Sequence, residues 1–320
     1  MKKIRSVNNP IGGGAHVFDE FAQYLNQQDR SELTIRGYLA DLKAFGTWFQ
    51  QTNGESISPA GVTPSDIKEY RQFLLIIERA KAATINRRLA ALIAYMNWAV
   101  HSGQIEKNPA AGIRGVQQVN HGPRYLDRKQ QFALQRAVEK ELQIARLRYP
   151  KRWVARQRDG ALVVFLLNTG LRLNEALSLK LEDVQLTDRK GIVWVRQGKG
   201  GKQRIVPLNL DARDALRGWL NARPEDGTDF IWIAGDGEQE QALSSRSVQR
   251  ALTRIGRQAG LSALTPHMLR HSFAKNLIDS GVGLEKVASL LGHSSLNTTR
   301  IYVTPNQTDL ERAVDQITQR

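Results

Sequence analysis

The strongest constraint on the fold of this 320-residue chain is a single break in its pattern of apolar residues. Between residues 109 and 123 the apolar periodicity stops, and three glycines, two glutamines and an asparagine interrupt the segment. Such a composition is typical of a linker. Because the chain also exceeds the size of one ordinary core, we predict two domains, over residues 14–108 and 124–320, joined by a linker over residues 109–123.

Four amphipathic helices are predicted in the first domain, because apolar residues recur there at the spacing of a helical turn. Ser31 or Thr34 can cap the second of them. Thr63 and Pro64 provide a cap and a first-turn proline for the third helix, and Gly103 closes the fourth. These segments predict a small helical bundle.

Basic residues on the polar faces of these helices are candidates for contact with phosphate groups. They are Arg71, Lys81, Arg87 and Arg88. An ordinary solvated helix surface is an open alternative for each of them, because exposed lysine and arginine are common on helices.

The second domain begins with a helix predicted over residues 127–147. A stretch rich in arginine and lysine follows over residues 146–158. This density of positive charge favours a segment that faces DNA over a buried one. Lys151, Arg152 and Arg156 are the predicted contacts in it.

The rest of the second domain combines helices with a short hairpin. Residues 160–171 form an apolar segment that predicts a buried helix ending at Gly170. The segments Gly191–Val195 and Arg204–Pro207 predict two β-strands, and the glycines between them permit a tight turn. Since the remaining pattern is helical, the predicted fold class is mainly α with a small antiparallel β-sheet.

Positive charge dominates the composition, with 46 Lys and Arg residues against 31 Asp and Glu residues and a net charge of +15. This excess predicts a polyanionic partner, and nucleic acid is the leading candidate. A basic surface kept for solubility and an anionic membrane are the alternatives. The charge is, however, spread through folded segments and is not collected in one tail.

Several other kinds of chemistry are excluded by what the sequence lacks. It has no cysteine, which excludes disulfides, cysteine nucleophiles and the usual zinc-finger ligands. Its six histidines form no His-Glu-x-x-His pattern, so no metal site and no cofactor are predicted. It also has no uncharged apolar run of roughly 18 residues, so we expect a soluble, cytoplasmic protein that does not enter a membrane.

A helix start near the C-terminus carries residues that suit a phosphate ligand. Thr265 can cap this helix and Pro266 takes its first position. His267 and Arg270 then stand three residues apart on one face, so both can contact one phosphate group. For this fragment alone, the alternative to phosphate binding is that His267 is solvated and Arg270 forms an ion pair at the surface.

Two further residues follow at defined positions. His293 comes after Gly292, which is placed to end an apolar helix over residues 284–291. Tyr302 lies nine residues beyond His293. Taken alone, a tyrosine in such a place is more often a packed aromatic residue than a nucleophile.

Five ordered sequence elements together resemble the catalytic signature of the tyrosine recombinase (phage integrase) family. They are Thr169-Gly-Leu-Arg-Leu-Asn-Glu-Ala-Leu177, Gly198-Lys199-Gly200, His267-x-x-Arg270-His-Ser-Phe, Leu291-Gly-His293 and Tyr302. The resemblance covers the chain from about residue 125 to the C-terminus and extends more weakly to the first domain. It implies an N-terminal SAM-like, core-binding helical bundle and a C-terminal tyrosine recombinase catalytic domain.

The resemblance also implies catalytic roles that suit attack on a phosphodiester. Arg172 and Arg270 match the family's paired arginines, whose planar forks fit the two non-bridging phosphate oxygens. His267 matches the general acid/base histidine. His293 matches the second histidine, which positions the phosphate or the tyrosine, and Tyr302 matches the nucleophile.

Lys199, in the predicted hairpin turn, matches the lysine that protonates the leaving 5′ oxygen. Lys202 is the alternative for that role and is otherwise a candidate DNA contact. Glu175 fits the same family pattern, where we expect it to orient neighbouring basic groups. A covalent phosphotyrosine keeps the energy of the phosphodiester, so the resemblance implies neither a nucleotide nor a metal cofactor.

The implied activity is site-specific recombination of double-stranded DNA at a core site. The family cleaves through a 3′-phosphotyrosine and exchanges strands via a Holliday junction in a tetrameric synapse. Such an activity would serve to integrate, excise or resolve a mobile element, or to resolve replicon dimers. A terminal helix between Leu310 and Ile317 is expected to dock on a neighbouring protomer or to fold back on its own domain.

Two alternatives remain at this point. A topoisomerase of type IB shares the same chemistry but acts as a monomer, and the terminal helix and His293 favour the recombinase over it. A DNA-binding regulator that has lost activity is disfavoured, because the set of catalytic side chains is complete. The short lead before the first helix favours an Xer-like or transposon-encoded enzyme over a lambda-type integrase.

Overall fold

The structure is a computed structural model that describes residues 18–118, 122–196, 203–225, 227–234, 242–293, 295–302 and residue 314. The chain divides into two compact units, residues 1–120 and residues 121–320. The division falls inside the segment 109–123, for which the sequence predicts a linker. Each unit has its own hydrophobic core.

The described residues of the first unit form four α-helices. They are α1 (Asp19–Gln27), α2 (Glu32–Asn53), α3 (Pro64–Gln72) and α4 (Ala82–His101). Of the two possible caps of α2, Ser31 is the one used, since its hydroxyl accepts a hydrogen bond from the Thr34 amide. Thr63 caps α3 through a reciprocal pair of hydrogen bonds with Asp66. The predicted helical bundle is confirmed.

Aromatic rings fill the core of the first unit. Tyr95 on α4 meets Phe18 and Phe21 edge-on, at ring-centroid distances of 5.3 and 5.4 Å. Tyr70 on α3 meets Phe45 on α2 in the same manner at 5.0 Å. Edge-to-face pairs are favourable beyond the area that they bury. These contacts fix α1 against α4 and α3 against α2.

The second unit is also mainly helical. Its helices are α5 (Arg128–Arg148), α6 (Pro150–Thr169), α7 (Leu173–Leu177), α8 (Leu210–Leu220), α9 (Ser245–Gln258), α10 (Pro266–Asp279), α11 (Leu284–Leu291) and α12 (Leu296–Arg300). Its strands are β1 (Val184–Leu186), β2 (Gly191–Val195) and β3 (Arg204–Pro207). The predicted fold class, mainly α with a small antiparallel sheet, is confirmed.

The sheet has one strand more than the sequence pattern predicts. Its order is β1-β2-β3, and all neighbours are antiparallel. Val193 in the central strand pairs with Val184 on one side and Val206 on the other. The strand β1 has three residues, which is too short for an alternating pattern to reveal it.

Helix α6 begins ten residues before the start that its apolar pattern predicts. Pro150 occupies its first turn, where a missing N–H costs nothing. Gly160, the predicted start, lies inside the helix against α5. A Cβ atom there would be 2.8 Å from Cγ1 of Val138, so this glycine allows the two helices to approach closely.

The prediction that residues 146–158 face DNA is wrong for Arg158, which is 7% exposed. Its guanidinium donates to Asp159 and to the Ile233 carbonyl. Arg254 on α9 bonds to Asp159 and to Glu141. This network joins α5, α6 and α9, which is why one arginine of a basic stretch can lie in the interior.

Within the described ranges, no helix combines the length and the apolar character that a membrane crossing requires.

Gly170 ends α6 at a point where three helices converge. Its φ of +63° lies in the left-handed region that favours glycine. A Cβ atom at this position would lie 2.3 Å from Cδ1 of Phe273 on α10 and 3.0 Å from Cδ2 of Leu291 on α11. The glycine therefore sets how closely α10 and α11 approach the end of α6.

We predict that Gly170→Ala lowers the free energy of unfolding by about 3 kcal/mol. Roughly 1–2 kcal/mol comes from the left-handed backbone and about as much from overpacking. Gly260→Ala is the matched control, because Gly260 has φ +73° and no atom within 4 Å of its Cβ position. Urea denaturation measures both variants. An equal loss of unfolding free energy in the two variants would mean that Phe273 and Leu291 move aside without an energetic cost.

Candidate active site

Arg172 lies at the start of α7, immediately after the turn at Gly170. Its Nη1 donates to Oε1 of Glu175 at 2.7 Å, and its backbone N–H donates to Oε2 of the same carboxylate at 2.9 Å. Its Nη2 donates to the Gly292 carbonyl at 3.4 Å. The guanidinium is therefore held from two sides, and its side chain is still 29% exposed.

Arg270 reaches the same place from α10. Its Nη1 donates to the Gly170 carbonyl at 2.7 Å and its Nη2 to the Leu291 carbonyl at 2.8 Å. Burial, and after it the charge of Arg172, lower the pKa of Arg270. Because the two arginines bond to the consecutive carbonyls of Leu291 and Gly292, the structure brings their guanidinium groups together.

Glu175 links Arg172 to a third arginine, Arg204 on β3. The Arg204 guanidinium donates to both carboxylate oxygens, at 2.7 and 3.2 Å. Burial raises the pKa of Glu175, but the hydrogen bonds and charges of Arg204 and Arg172 outweigh it, so the net shift is downward. Glu175 is therefore an ionised carboxylate that orients two cations.

Sequence reasoning missed Arg204, because its partner lies 29 residues away and on another element. Its Nε also donates to the Leu290 carbonyl at 2.9 Å. Gly292 makes room for it, since a Cβ atom there would be 2.8 Å from the Arg204 Nη1. No local pattern distinguishes such an arginine from an exposed strand residue.

His293 emerges from the C-terminal cap of α11, which Gly292 forms with φ +65° as the sequence predicts. Its Nε2 is 2.9 Å from Nη2 of Arg270, which can only donate, so this nitrogen carries a lone pair. Its Nδ1 then donates to Oγ1 of Thr299 at 2.8 Å. Burial, followed by the charges of Arg270 and Arg172, lowers the pKa of His293 to about 4.

Tyr302 follows α12 and is 5% exposed. Its ring packs with Ala274, Val287 and Leu291, so it is a buried aromatic as well as a candidate nucleophile. Burial raises the pKa of the phenol, and the charges of Arg270 and Arg172 partly offset that rise. The phenol therefore lies within electrostatic reach of both arginines.

The Tyr302 hydroxyl is 2.7 Å from Nδ1 of His271, a residue that sequence reasoning did not single out. His271 adjoins Arg270 on α10, so it was part of the recognised motif without a role in it. Burial, and then the neighbouring His267 and Arg270, lower the pKa of His271 to about 4.

His267 lies on the first turn of α10, which Thr265 caps as predicted. It is exposed, and its ring centroid is 6.2 Å from that of His271. Lys199 and Lys202, the two candidates for the catalytic lysine, lie outside the described residues.

The four basic candidates of the first unit differ in their contacts. Arg87 forms an ion pair with Asp41, and Arg88 pairs with Glu78 at 2.9 Å. Lys81 is exposed at the start of α4, while Arg71 on α3 is half-buried. Arg87 and Arg88 are thus already engaged with carboxylates of their own chain.

In the second unit, Lys151 and Arg152 are exposed on the first turn of α6, whereas Arg156 forms an ion pair with Glu141 at 3.2 Å. Sequence reasoning also missed a basic face on α9, formed by the exposed Arg246, Arg250 and Arg257. These residues line a shallow groove with neighbouring polar side chains. Their spacing of about one and two helical turns was a signal that could have revealed them.

Where the structure describes side chains, it holds no group of three or more His, Asp and Glu residues that could bind a metal ion. The described residues of the candidate site place arginine side chains near a buried phenol and two imidazoles whose pKa values are lowered to about 4.

Comparison with known families and relatives identifies the class. The model described as "Phage integrase family" matches residues 141–309, and that described as "Phage integrase, N-terminal SAM-like domain" matches residues 18–103. Tyrosine recombinase XerC of Yersinia pestis is 34% identical over 89% of this chain and 88% of its own length. The TnP I resolvase of Bacillus thuringiensis is 28% identical over 93% of this chain and 99% of its own length.

Solved structures agree with these matches. The structure of the XerH site-specific recombinase bound to difH substrate, in a pre-cleavage complex, is 25% identical with a TM-score of 0.69. The comparison covers 92% of this chain and 83% of that chain. The fold and the matches together define a tyrosine site-specific recombinase. The chain belongs to the phage integrase family, and its similarity to Xer recombinases extends over both units.

The two depressed histidine pKa values predict that the protein loses stability in mild acid. The pKa values of His271 and His293 fall from 6.5 to about 4 on folding, so the unfolded chain binds more protons between these limits. The free energy of unfolding should therefore decrease as the pH falls from about 7 to about 5. Urea denaturation at the two pH values measures the decrease. His293→Asn should reduce it, and an unchanged pH dependence in that variant would contradict the assignment.

Proposed function

We propose that this recombinase cleaves and rejoins double-stranded DNA at a specific core site through a 3′-phosphotyrosine at Tyr302. The observation that carries the proposal is the meeting of Arg172, Arg270 and His293 beside that phenol. A phosphodiester is anionic and a phenol is a weak nucleophile, so attack requires fixed positive charge around the phosphate.

The two arginines would bind the non-bridging oxygens of the scissile phosphate. A guanidinium has five N–H donors. The described residues take three donor contacts from Arg270, which leaves others for a ligand. Arg172 is more exposed, and its bond to the Gly292 carbonyl is long at 3.4 Å, so a phosphate oxygen can replace that contact. Guanidinium forks suit this geometry better than ammonium groups.

The leaving 5′ oxygen needs a proton. We assign Lys199 to this role, with Lys202 as the alternative, on the family motif alone. His267, exposed on the first turn of α10, is on the family motif alone a candidate acid or base near the same phosphate. His293 positions the phosphate through its shared contact with Arg270.

Strand exchange follows from the covalent intermediate, because a phosphotyrosine keeps the energy needed for religation. We propose that four protomers assemble on DNA, with only two active at once, and that strands exchange through a Holliday junction. The predicted C-terminal exchange helix lies outside the described residues except for Val314, which is helical and exposed. In this role the protein integrates, excises or resolves a mobile element or replicon dimers in the cytoplasm.

Contacts with the DNA backbone are proposed on both units. On the first unit they are Arg71, Lys81, Arg87 and Arg88. Arg87 and Arg88 would bind phosphate while they also form ion pairs with Asp41 and Glu78. On the second unit the proposed contacts are Lys151, Arg152, Arg156 and Lys202. The exposed arginines of α9 are added to them. With domains over residues 14–108 and 124–320 and a linker over residues 109–123, each domain would provide its own contacts with DNA.

We predict that Tyr302→Phe binds DNA with the affinity of the unmodified chain but forms no covalent adduct. The substitution removes only the hydroxyl oxygen that would bond to phosphorus. A duplex selected from a randomised library for binding to the unmodified chain serves as the probe. Gel analysis in detergent, with excess chelator present, detects the adduct. An undiminished adduct in the variant, or loss of the adduct in chelator with the unmodified chain, would contradict the proposal.

We predict that Arg250→Ala on α9 weakens binding of the same duplex and lowers the slope of log K against log salt. The slope should change by about 0.9 for each phosphate that the variant no longer neutralises. Arg217→Ala on α8 is the control, since Arg217 is partly exposed but bonds to the Thr187 carbonyl and pairs with Asp214. Fluorescence anisotropy at several salt concentrations measures both variants. Equal slopes for the two variants would show that Arg250 on α9 does not contact DNA.

A further inference from the structure

His271 lies directly against the phenol that acts as nucleophile in the proposed function. Its Nδ1 is 2.7 Å from the Tyr302 hydroxyl, and the two ring centroids are 5.4 Å apart. Tyr302 is 5% exposed, so bulk water has little access to it. The nearest acceptor for the phenolic proton is therefore an imidazole nitrogen of the same chain.

The direction of this hydrogen bond follows from the partners of the two groups. The Tyr302 hydroxyl has one proton, and among the described residues its hydrogen bond is to His271. A phenol donates readily to an imidazole lone pair, so we assign the tautomer that carries its proton on Nε2 and accepts on Nδ1. In this state, His271 is ready to take the proton.

His293 is the other imidazole near the phenol, but both of its nitrogens are committed. Its Nε2 accepts from Arg270 and its Nδ1 donates to Thr299. It could accept a proton only by releasing an arginine that binds the phosphate. His267 is exposed one turn away on α10, and within the described part of the chain it forms no hydrogen bond with Tyr302.

We propose that His271 is the general base that deprotonates Tyr302 during attack on the scissile phosphate, an inference that rests on the proposed function. The bond between Oη and phosphorus forms, and the bond between phosphorus and the 5′ oxygen breaks. The phenolic proton passes to Nδ1 of His271, and the 5′ oxygen takes a proton from the separate acid, Lys199 in the mechanism above. In religation His271 returns its proton to the departing phenolate.

Electrostatics link this step to the presence of DNA. In the free protein, burial and the neighbouring His267 and Arg270 lower the pKa of His271 and keep it neutral. A phosphodiester bound by Arg172 and Arg270 adds a negative charge beside them. That charge stabilises the imidazolium that forms when the proton is transferred. His271 therefore becomes a stronger base when substrate is in place.

His271→Asn is the direct test, because the asparagine amide oxygen can occupy the position of Nδ1 and accept the same hydrogen bond but cannot act as a base. We expect single-turnover cleavage of the library-selected duplex to fall about 100-fold, with DNA binding unchanged. His101→Asn, the same substitution on α4 of the other unit, should leave the rate unchanged. Cleavage by His271→Asn within about threefold of the unmodified chain would overturn the proposal, since holding the tyrosine would then be enough.

A duplex with sulfur in place of the bridging 5′ oxygen separates the two proton transfers. A thiolate leaves without protonation, so this substrate rescues a missing acid but not a missing base. His271→Asn should remain slow on it, whereas full recovery would assign His271 to the leaving group and overturn the proposal. In a second variant, His271→Ala, added imidazole should restore cleavage in proportion to its free-base concentration, and no restoration would count against a base at this position.

Failure of the proposed function would look different. If the unmodified chain forms no covalent adduct with the selected duplex, the nucleophile itself is wrong. If it forms the adduct and His271→Asn forms it equally fast, only the assignment of the base is wrong.

Discussion

The buried carboxylate of Glu175 is the contact on which the rest of the site depends. It accepts hydrogen bonds from Arg172 at 2.7 Å and from Arg204 at 2.7 and 3.2 Å, and it is 4% exposed. Taking these charges out of water costs about as much as their attraction returns, so the cluster is a poor source of stability. Its value is geometric, because it fixes guanidinium groups that would otherwise sample many rotamers.

The ends of two helices supply the remaining constraint on the arginines. The last carbonyls of a helix have no partner within it and carry partial negative charge. Arg270 donates to the Gly170 carbonyl at the end of α6 and to the Leu291 carbonyl at the end of α11. Arg172 donates to the next carbonyl, that of Gly292. Two helix termini thus gather positive charge at one point, and the left-handed glycines at those termini allow α6, α10 and α11 to meet there.

In the proposed function, this arrangement favours a phosphate over a further carboxylate of the chain as the ligand of the arginines. Glu175 faces Arg172 and Arg204, so its charge is already used. Burial, and after it the positive charge near Tyr302, lowers the pKa values of His271 and His293. Both imidazoles are neutral in the free protein, and His271 is in contact with the proposed nucleophile.

The sequence was sufficient to predict those features that depend on neighbouring residues. The cap at Thr265, the helix ends at Gly170 and Gly292 and the two longer strands belong to this class. The grouping of Arg172 with Arg270 was predicted from the motif resemblance instead, since the two residues lie on separate elements.

Features that depend on contact between distant segments could not be predicted. Arg158 belongs to a basic stretch, yet it is buried because Asp159 and the Ile233 carbonyl satisfy it. The contact of Arg204 with Glu175 depends on the packing of β3 against α7, and the contact of His271 with Tyr302 depends on the packing of α10 against the segment that follows α12. Such pairings are set by tertiary packing, and no local spacing encodes them.

We propose that the cluster of Arg172, Arg270 and His293 directs a DNA phosphate to Tyr302 and to no other residue. Mass spectrometry of the covalent adduct, after nuclease and trypsin digestion, identifies the modified residue. Trypsin should release residues 301–312, a peptide in which Tyr302 is the single tyrosine. We expect a nucleotide remnant on that peptide. A remnant on any other peptide would contradict it.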